Sequence, residues 1–211
     1  MGAARAGGMR ALAGAITAVT LTVVLAVGFV ARSSPNPDGR AVVRLHGDTV
    51  WAAGARPAPP IGLRDQHGRT VTLANLGPKV LLITFMDSHC TTECPVEGHQ
   101  LAVVQRSFSP ADRPEIVVVS VNPADTPKSV RRFGRRRGWR GGWEWLMGSS
   151  AQLRSVWRAY DIEVDPTSHD ILHSAALYVV DPHGDERSGY VAPFLPQLVT
   201  ADARALESRG A

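Results

Sequence analysis

Two stretches of this chain read as strands covered on both faces. Val80-Leu81-Leu82-Ile83-Thr84-Phe85 and Ile116-Val117-Val118-Val119-Ser120-Val121 are nearly continuous apolar runs. A strand with one wet face alternates apolar and polar residues, so a run without alternation needs a packing layer above and below it. The flanking signals supply those layers. Gly62 to Leu73 reads as a polar hairpin turning at Asp65-Gln66-His67-Gly68. Pro95 to Phe108 reads as a helix, with Leu101, Val104 and Phe108 on one face. Thr126 is an N-cap with Pro127 at the first helical position, opening a helix through Phe133. Ser149 and Gln152 form a capping box for a helix through Tyr160. Ala175 to Val180 is a third strand, and Asp181-Pro182-His183-Gly184 turns it into a fourth that ends near Val191. A last helix runs from about Pro196 to Glu207. The order β-α-β-α-α-β-β-α predicts an α/β sandwich with a mixed sheet.

The N-terminus follows a different grammar. Ala11 to Ala31 contains no charged side chain, and a bilayer-spanning helix needs about 20 apolar residues. Arg5 and Arg10 precede the run, so by the positive-inside rule the N-terminus stays in the cytoplasm and the rest is exported. The alternative is a cleaved signal peptide, with Leu12 to Leu25 as its apolar region and Ala26-Val27-Gly28 as its cleavage site. Both readings place the remainder in a compartment where disulfides persist. The divisions are then 1–32 for the anchor or signal, 33–57 for a linker and lead-in, and 58–211 for the compact domain. The formal charge of +4 invites a nucleic-acid reading. However, Arg5, Arg10 and Arg32 flank the apolar run, and Arg131, Arg132, Arg135, Arg136, Arg137 and Arg140 form one cluster near Trp139, Trp143 and Trp145. An exported domain meets little nucleic acid. The cluster reads as a solvated helix end, with docking to an acidic partner or to anionic lipid as alternatives.

The chemistry gathers where the two cysteines sit, in His89-Cys90-Thr91-Thr92-Glu93-Cys94-Pro95. This motif lies between the first core strand and its helix, at the carboxyl end of a strand, where α/β sheets build sites. A helix N-terminus lowers a thiol's pKa, so Cys90 is expected to carry thiolate character, with Cys94 as a second candidate. Four residues apart, they suit one helical turn. Two such thiols can close a disulfide or grip a soft ion. A purely structural bridge across so short a loop would stabilise little. Two thiolates fall short of a closed zinc site, whereas Cu(I) favours thiolate and accepts imidazole. His173, just before the third core strand, is the best candidate to complete such a set.

Here the residues resemble a known family. Cys90-x-x-x-Cys94-Pro95 is similar to the cysteine signature of the Sco/SenC family, and His173-Ser174 followed by Tyr178-Val179-Val180-Asp181-Pro182-x-Gly184 resembles its second signature. Leu63-x-Asp65-Gln66-x-Gly68-Arg69, Gly77-Pro78-Lys79-Val80 and Val119-Ser120-Val121-Asn122-Pro123-x-Asp125-Thr126-Pro127 look like its other core segments. The resemblance covers roughly residues 58–208. It implies a thioredoxin-like three-layer sandwich behind an N-terminal transmembrane helix. It also implies one copper ion held by Cys90, Cys94 and His173, with a role in assembling the binuclear copper centre of cytochrome c oxidase. That role is copper delivery, reduction of the oxidase's cysteines, or both. The chain departs from the family by having Thr91, Thr92 and Glu93 between the cysteines, and Asn122 in place of a common aspartate. Neither change touches the ligand set.

Other residues carry weaker signals. His89 is an alternative ligand whose charge would acidify Cys90, and His169 is a candidate copper recruiter. His46, His67, His99 and His183 read as surface, and Met86 as core. The competing function is a thiol-disulfide oxidoreductase or peroxidase. Against it, the spacing is Cys-x-x-x-Cys, no proline lies between Pro166 and Pro182, and Asp87 stands where a peroxiredoxin has threonine.

Overall fold

The computed structural model describes residues 43–167 and 170–207. The predicted transmembrane or signal segment, residues 33–42 of the linker and lead-in, and His169 lie outside the described residues. Among the described residues, no helix is long and apolar enough to cross a membrane.

The elements are β1 (Thr49–Val50), β2 (Gly62–Arg64), β3 (Thr70–Thr72), β4 (Leu81–Met86), α1 (Glu93–Arg106), β5 (Glu115–Ser120), α2 (Pro127–Arg137), β6 (Trp143–Leu146), α3 (Ser150–Ala159), β7 (Val164–Pro166), β8 (Ile171–His173), β9 (Ala176–Val180), β10 (Glu186–Val191) and α4 (Pro196–Glu207). Six strands form one mixed sheet in the order β1-β10-β9-β4-β5-β6. The run β4, β5, β6 is parallel, and β9 joins β4 antiparallel.

The two apolar runs explain the layering. Along β4, Leu82 and Met86 face one core while Leu81, Ile83 and Phe85 face the other. Along β5, Ile116 and Val118 oppose Val117 and Val119 in the same way. One core takes Leu101 and Val104 of α1, Val130 and Phe133 of α2, and Val199 and Leu206 of α4. The other takes Leu153, Val156 and Trp157 of α3 with Leu63 and Val71 of the β2–β3 hairpin. The result is the expected three-layer, thioredoxin-like sandwich.

Three pieces differ from the sequence reading. Strand β6 was not predicted, because it lies among arginines and only four residues carry it. Its Trp145 is fully buried and donates from Nε1 to the Ser120 hydroxyl at 2.7 Å. The tryptophans therefore belong to the core rather than to a surface patch, with Trp139 also buried and Trp143 packed against it. Strand β1 lies in the segment read as lead-in and pairs with β10. The same segment is clamped to α4, since His46 bonds the buried Asp202 from its backbone N–H (2.9 Å) and from Nδ1 (2.8 Å). Finally, Val164–Pro166 and Ile171–His173 pair as a small hairpin that ends on His173.

Candidate metal centre

The cysteine loop leaves the carboxyl end of β4 and enters α1. The helix begins at Glu93, two residues before the expected Pro95, so Cys94 lies inside it and Cys90 lies in the loop before it. The pair does not sit on one helical turn. It spans the junction, with Cys94 buried and Cys90 half-buried, and both are free thiols.

Burial and hydrogen bonding split the two thiols in opposite directions. The Cys94 thiol donates to Cys90, and that bond is the main reason the Cys90 pKa falls from 9.0 to about 5. The Thr92 hydroxyl, 3.6 Å away, and the backbone N–H groups of Thr92 and Cys94 add to the effect. Donating its proton and being buried both push Cys94 up, so it stays a thiol. Thiolate character was expected first on Cys90, and that is where it falls, while Cys94, the second candidate, keeps its proton. The physical reason is that two close thiolates would repel, so one proton is shared between them.

His173 approaches from the end of the β7–β8 hairpin. The hairpin base is fastened by Ser174, whose N–H donates to the Glu163 carbonyl at 3.0 Å and whose hydroxyl accepts from the Glu163 N–H at 3.1 Å. His173 Nδ1 lies 3.0 Å from the Ser174 carbonyl oxygen, which accepts only from a protonated nitrogen. The ring is thereby held in the tautomer whose Nε2 keeps its lone pair for a ligand. Cys94 and His173 line one cavity of about 190 Å³, together with Thr92, Val96, Glu97, Ala175 and Pro193. Cys90 joins this group through its bond to Cys94. The donor atoms of Cys90, Cys94 and His173 are not all within 4.8 Å of one another; among the described residues, that spacing is met only by Asp87, His89 and Asp125. A larger groove of about 630 Å³, lined by Pro60, Leu73, Lys79 and His183 among others, contains neither cysteine.

Glu97 was missed from the sequence. It is buried on α1 and lines the cavity, one turn past Cys94. The Thr84 hydroxyl contacts both a Glu97 carboxyl oxygen and the Ala176 carbonyl, the latter at 3.0 Å. A single hydroxyl proton cannot serve two acceptors. The arrangement is satisfied when Glu97 is protonated and donates to Thr84, and burial raises its pKa from 4.5 to about 7. A signal was available, because Glu97 stands at i−4 to Leu101, on the stripe that faces the core.

His89 turns away from the thiols. Its Nδ1 lies 3.2 Å from Asp125 Oδ1 and 3.3 Å from Asp87 Oδ1. Asn122 donates from Nδ2 to Asp87 at 3.1 Å, while Ser88 and Ser120 donate to Asp125. These bonds brace the loop from β5 and α2. Asn122 suits this role because an aspartate there would set a second carboxylate against Asp87. Met86 is fully buried in the core, as expected.

The profile of the SCO1/SenC family matches residues 53–205. The chain belongs to the SCO1/SenC family. Among curated relatives, the mitochondrial protein SCO2 of Saccharomyces cerevisiae is 28% identical over 150 residues, covering 62% of this chain and 49% of that protein, so the chain spans about half of that relative's length. Among solved structures, Arabidopsis thaliana ScoI with copper bound has a TM-score of 0.64 at 25% identity, covering 73% of this chain and 99% of that one. Bradyrhizobium japonicum ScoI with copper bound has a TM-score of 0.58 at 27% identity, covering 72% and 99%.

Proposed function

We propose that this SCO1/SenC chain is a membrane-tethered, extracytoplasmic protein that binds one copper ion through Cys90, Cys94 and His173. It passes the ion to the copper-bearing subunit of cytochrome c oxidase, or reduces that subunit's cysteines. The observation that carries the reading is the cavity shared by Cys94 and His173, with Nε2 of the imidazole left free and a thiolate at Cys90. Two sulfurs and one neutral imidazole form a soft donor set suited to Cu(I). The copper-bound ScoI relatives support the same cargo. Capture draws the three donors together and displaces the Cys94 proton, and delivery runs in reverse as a partner's thiolates replace the ligands one at a time. The uncharged run from Ala11 to Ala31 behind Arg5 and Arg10 supports the tether and the extracytoplasmic placement.

The split thiols favour the reductive role as well. Cys90 thiolate attacks one sulfur of a partner disulfide, and the partner's other sulfur leaves as a thiolate that takes up a proton. Cys94, once deprotonated, then attacks Cys90 of the mixed disulfide and releases the reduced partner. The test is Cu(I) titration of the full chain, wild type against Cys90→Ser and His173→Ala. One tight equivalent should be lost in the first variant and weakened in the second. Unchanged binding in both variants, or none in wild type, refutes the copper reading.

A further inference from the structure

The functional reading leaves the cationic face of α2 unused. Lys128, Arg132, Arg135 and Arg136 on the helix, and Arg140 in the turn after it, are all exposed, and among the described residues none forms an ion pair with a carboxylate. The cations that are paired, Arg56, Arg69, Lys79 and Arg187, lie elsewhere. Helix stability does not account for this ridge. A positive charge complements the helix dipole in the last turn, where Arg135 and Arg136 sit, but opposes it in the first turn, where Lys128 sits. Lys128 with Arg132, and Arg132 with Arg136, are like-charged pairs at i,i+4, which weaken a helix.

The ridge is tied to the thiol site at both ends. At its start, the Ser88 hydroxyl of the cysteine loop lies 2.7 Å from the Ser129 hydroxyl. At its end, Arg137 Nη1 reaches the Pro95 carbonyl, one residue beyond Cys94, at 3.4 Å. The cavity's other margins are mixed: Thr92 and Glu93 line it and are exposed, and beside them stand exposed apolar residues. Val96 lines the cavity and is 50% exposed, Leu172 beside His173 is 59% exposed, and Leu195 beyond Pro193 is 56% exposed. A charged margin next to an apolar patch around a reactive cavity is the layout of a transient protein interface.

We propose that the α2 ridge is a docking surface for an acidic protein that presents its own thiol ligands, and that the ridge steers those ligands to the Cys94–His173 cavity while Val96, Leu172 and Leu195 form the contact around its mouth. The proposal rests on the transfer reading above for what is exchanged there. A protein is favoured over a lipid surface because exposed apolar residues stand at the cavity, with Val96 in its lining and Leu172 next to His173, where a partner that exchanges thiol ligands has to make contact.

The experiment uses the full chain in detergent and two labelled peptides, each carrying a Cys-x-x-x-Cys pair, one flanked by glutamates and one by lysines. Anisotropy titration of the metal-free chain should show the acidic peptide binding at least about tenfold more tightly at low salt. At 1 M salt, where the screening length is about 3 Å, the preference should vanish. Arg132→Glu, Arg135→Glu, Arg136→Glu and Arg140→Glu together should reverse the preference, and Val96→Ser with Leu195→Ser should weaken both peptides alike. Equal affinity for the two peptides in wild type overturns the proposal. So does a ridge-dependent retention on phosphatidylserine vesicles with no peptide preference, which would assign the ridge to lipid. Copper transfer to the peptides is followed separately. An acidic preference without any Cu(I) binding would uphold the docking surface and remove the copper reading.

Discussion

Removing the Cys94 thiol should undo most of the acidity of Cys90. Cys90 sits at about 5 against an ordinary 9.0, and the bond from Cys94 is the largest contribution. At pH 7 a thiol of pKa 5 is about 99% thiolate, whereas an ordinary one is about 1%. Because this folded value lies below the unfolded one, the linked stabilisation is complete above about pH 9 and lost as the pH falls through about 5. In Cys94→Ala the Thr92 hydroxyl and the backbone donors remain, so the midpoint should move at least halfway back, to about 7 or above. Reactivity at a single pH would mislead. Thiolate nucleophilicity grows with pKa at a slope of about 0.4–0.5, so a shift from 5 to 7 makes each thiolate about eightfold more reactive while halving the thiolate population at pH 7. Alkylation of the variant at pH 7 should therefore be several-fold faster, even though its thiol is less acidic. The decisive assay is ultraviolet thiolate absorbance followed from about pH 3 to 10. Cys94→Ser, which keeps a hydroxyl donor, should fall between wild type and Cys94→Ala. A midpoint that stays near 5 in Cys94→Ala would show that the helix terminus, not the paired thiol, sets the acidity.

Glu97 predicts a pH dependence of opposite sign. Its folded value of about 7 lies above the ordinary 4.5, so the stability linked to it is full below about pH 4.5 and lost as the pH rises through about 7. The loss is on the order of 3 kcal/mol and should disappear in Glu97→Gln, as measured by urea unfolding at pH 5 and pH 8. Gly98→Ala should destabilise by about 1–3 kcal/mol, because its Cβ would stand 2.8 Å from Phe133 and 2.9 Å from Arg137 where α1 meets α2; thermal unfolding checks this. Phe85→Ala removes a fully buried ring packed 5.5 Å from Tyr160 and 6.5 Å from Tyr178, and should cost about 3–5 kcal/mol in the same measurement.

Much of the scaffold was legible because it depends on local pattern. The unbroken apolar runs at Val80–Phe85 and Ile116–Val121 required cover on both faces, and Thr126 and Ser149 marked helix starts that the capping geometry confirms. The cysteine spacing and His173 pointed to two segments, and Cys94 and His173 do line one cavity. By contrast, β6 and the β7–β8 hairpin exist through pairing with partners distant along the chain or outside the recognised pattern. Four residues of Trp143–Leu146 carry too little periodicity to show that Val117 and Val119 await them across the sheet.

Tertiary structure alone decided how the site works. The sequence determined which donors are available and that one domain presents them. It did not determine that Cys94 enters the helix and keeps its proton while Cys90 stays in the loop and loses its own. Nor did it show that His173 is held by the Ser174 carbonyl, or that Glu97 is buried against Thr84 with its carboxyl pushed up to about 7. These are consequences of burial and of the hydrogen-bond geometry that the folded backbone sets, and a proton's location depends on the surroundings of a side chain rather than on its identity.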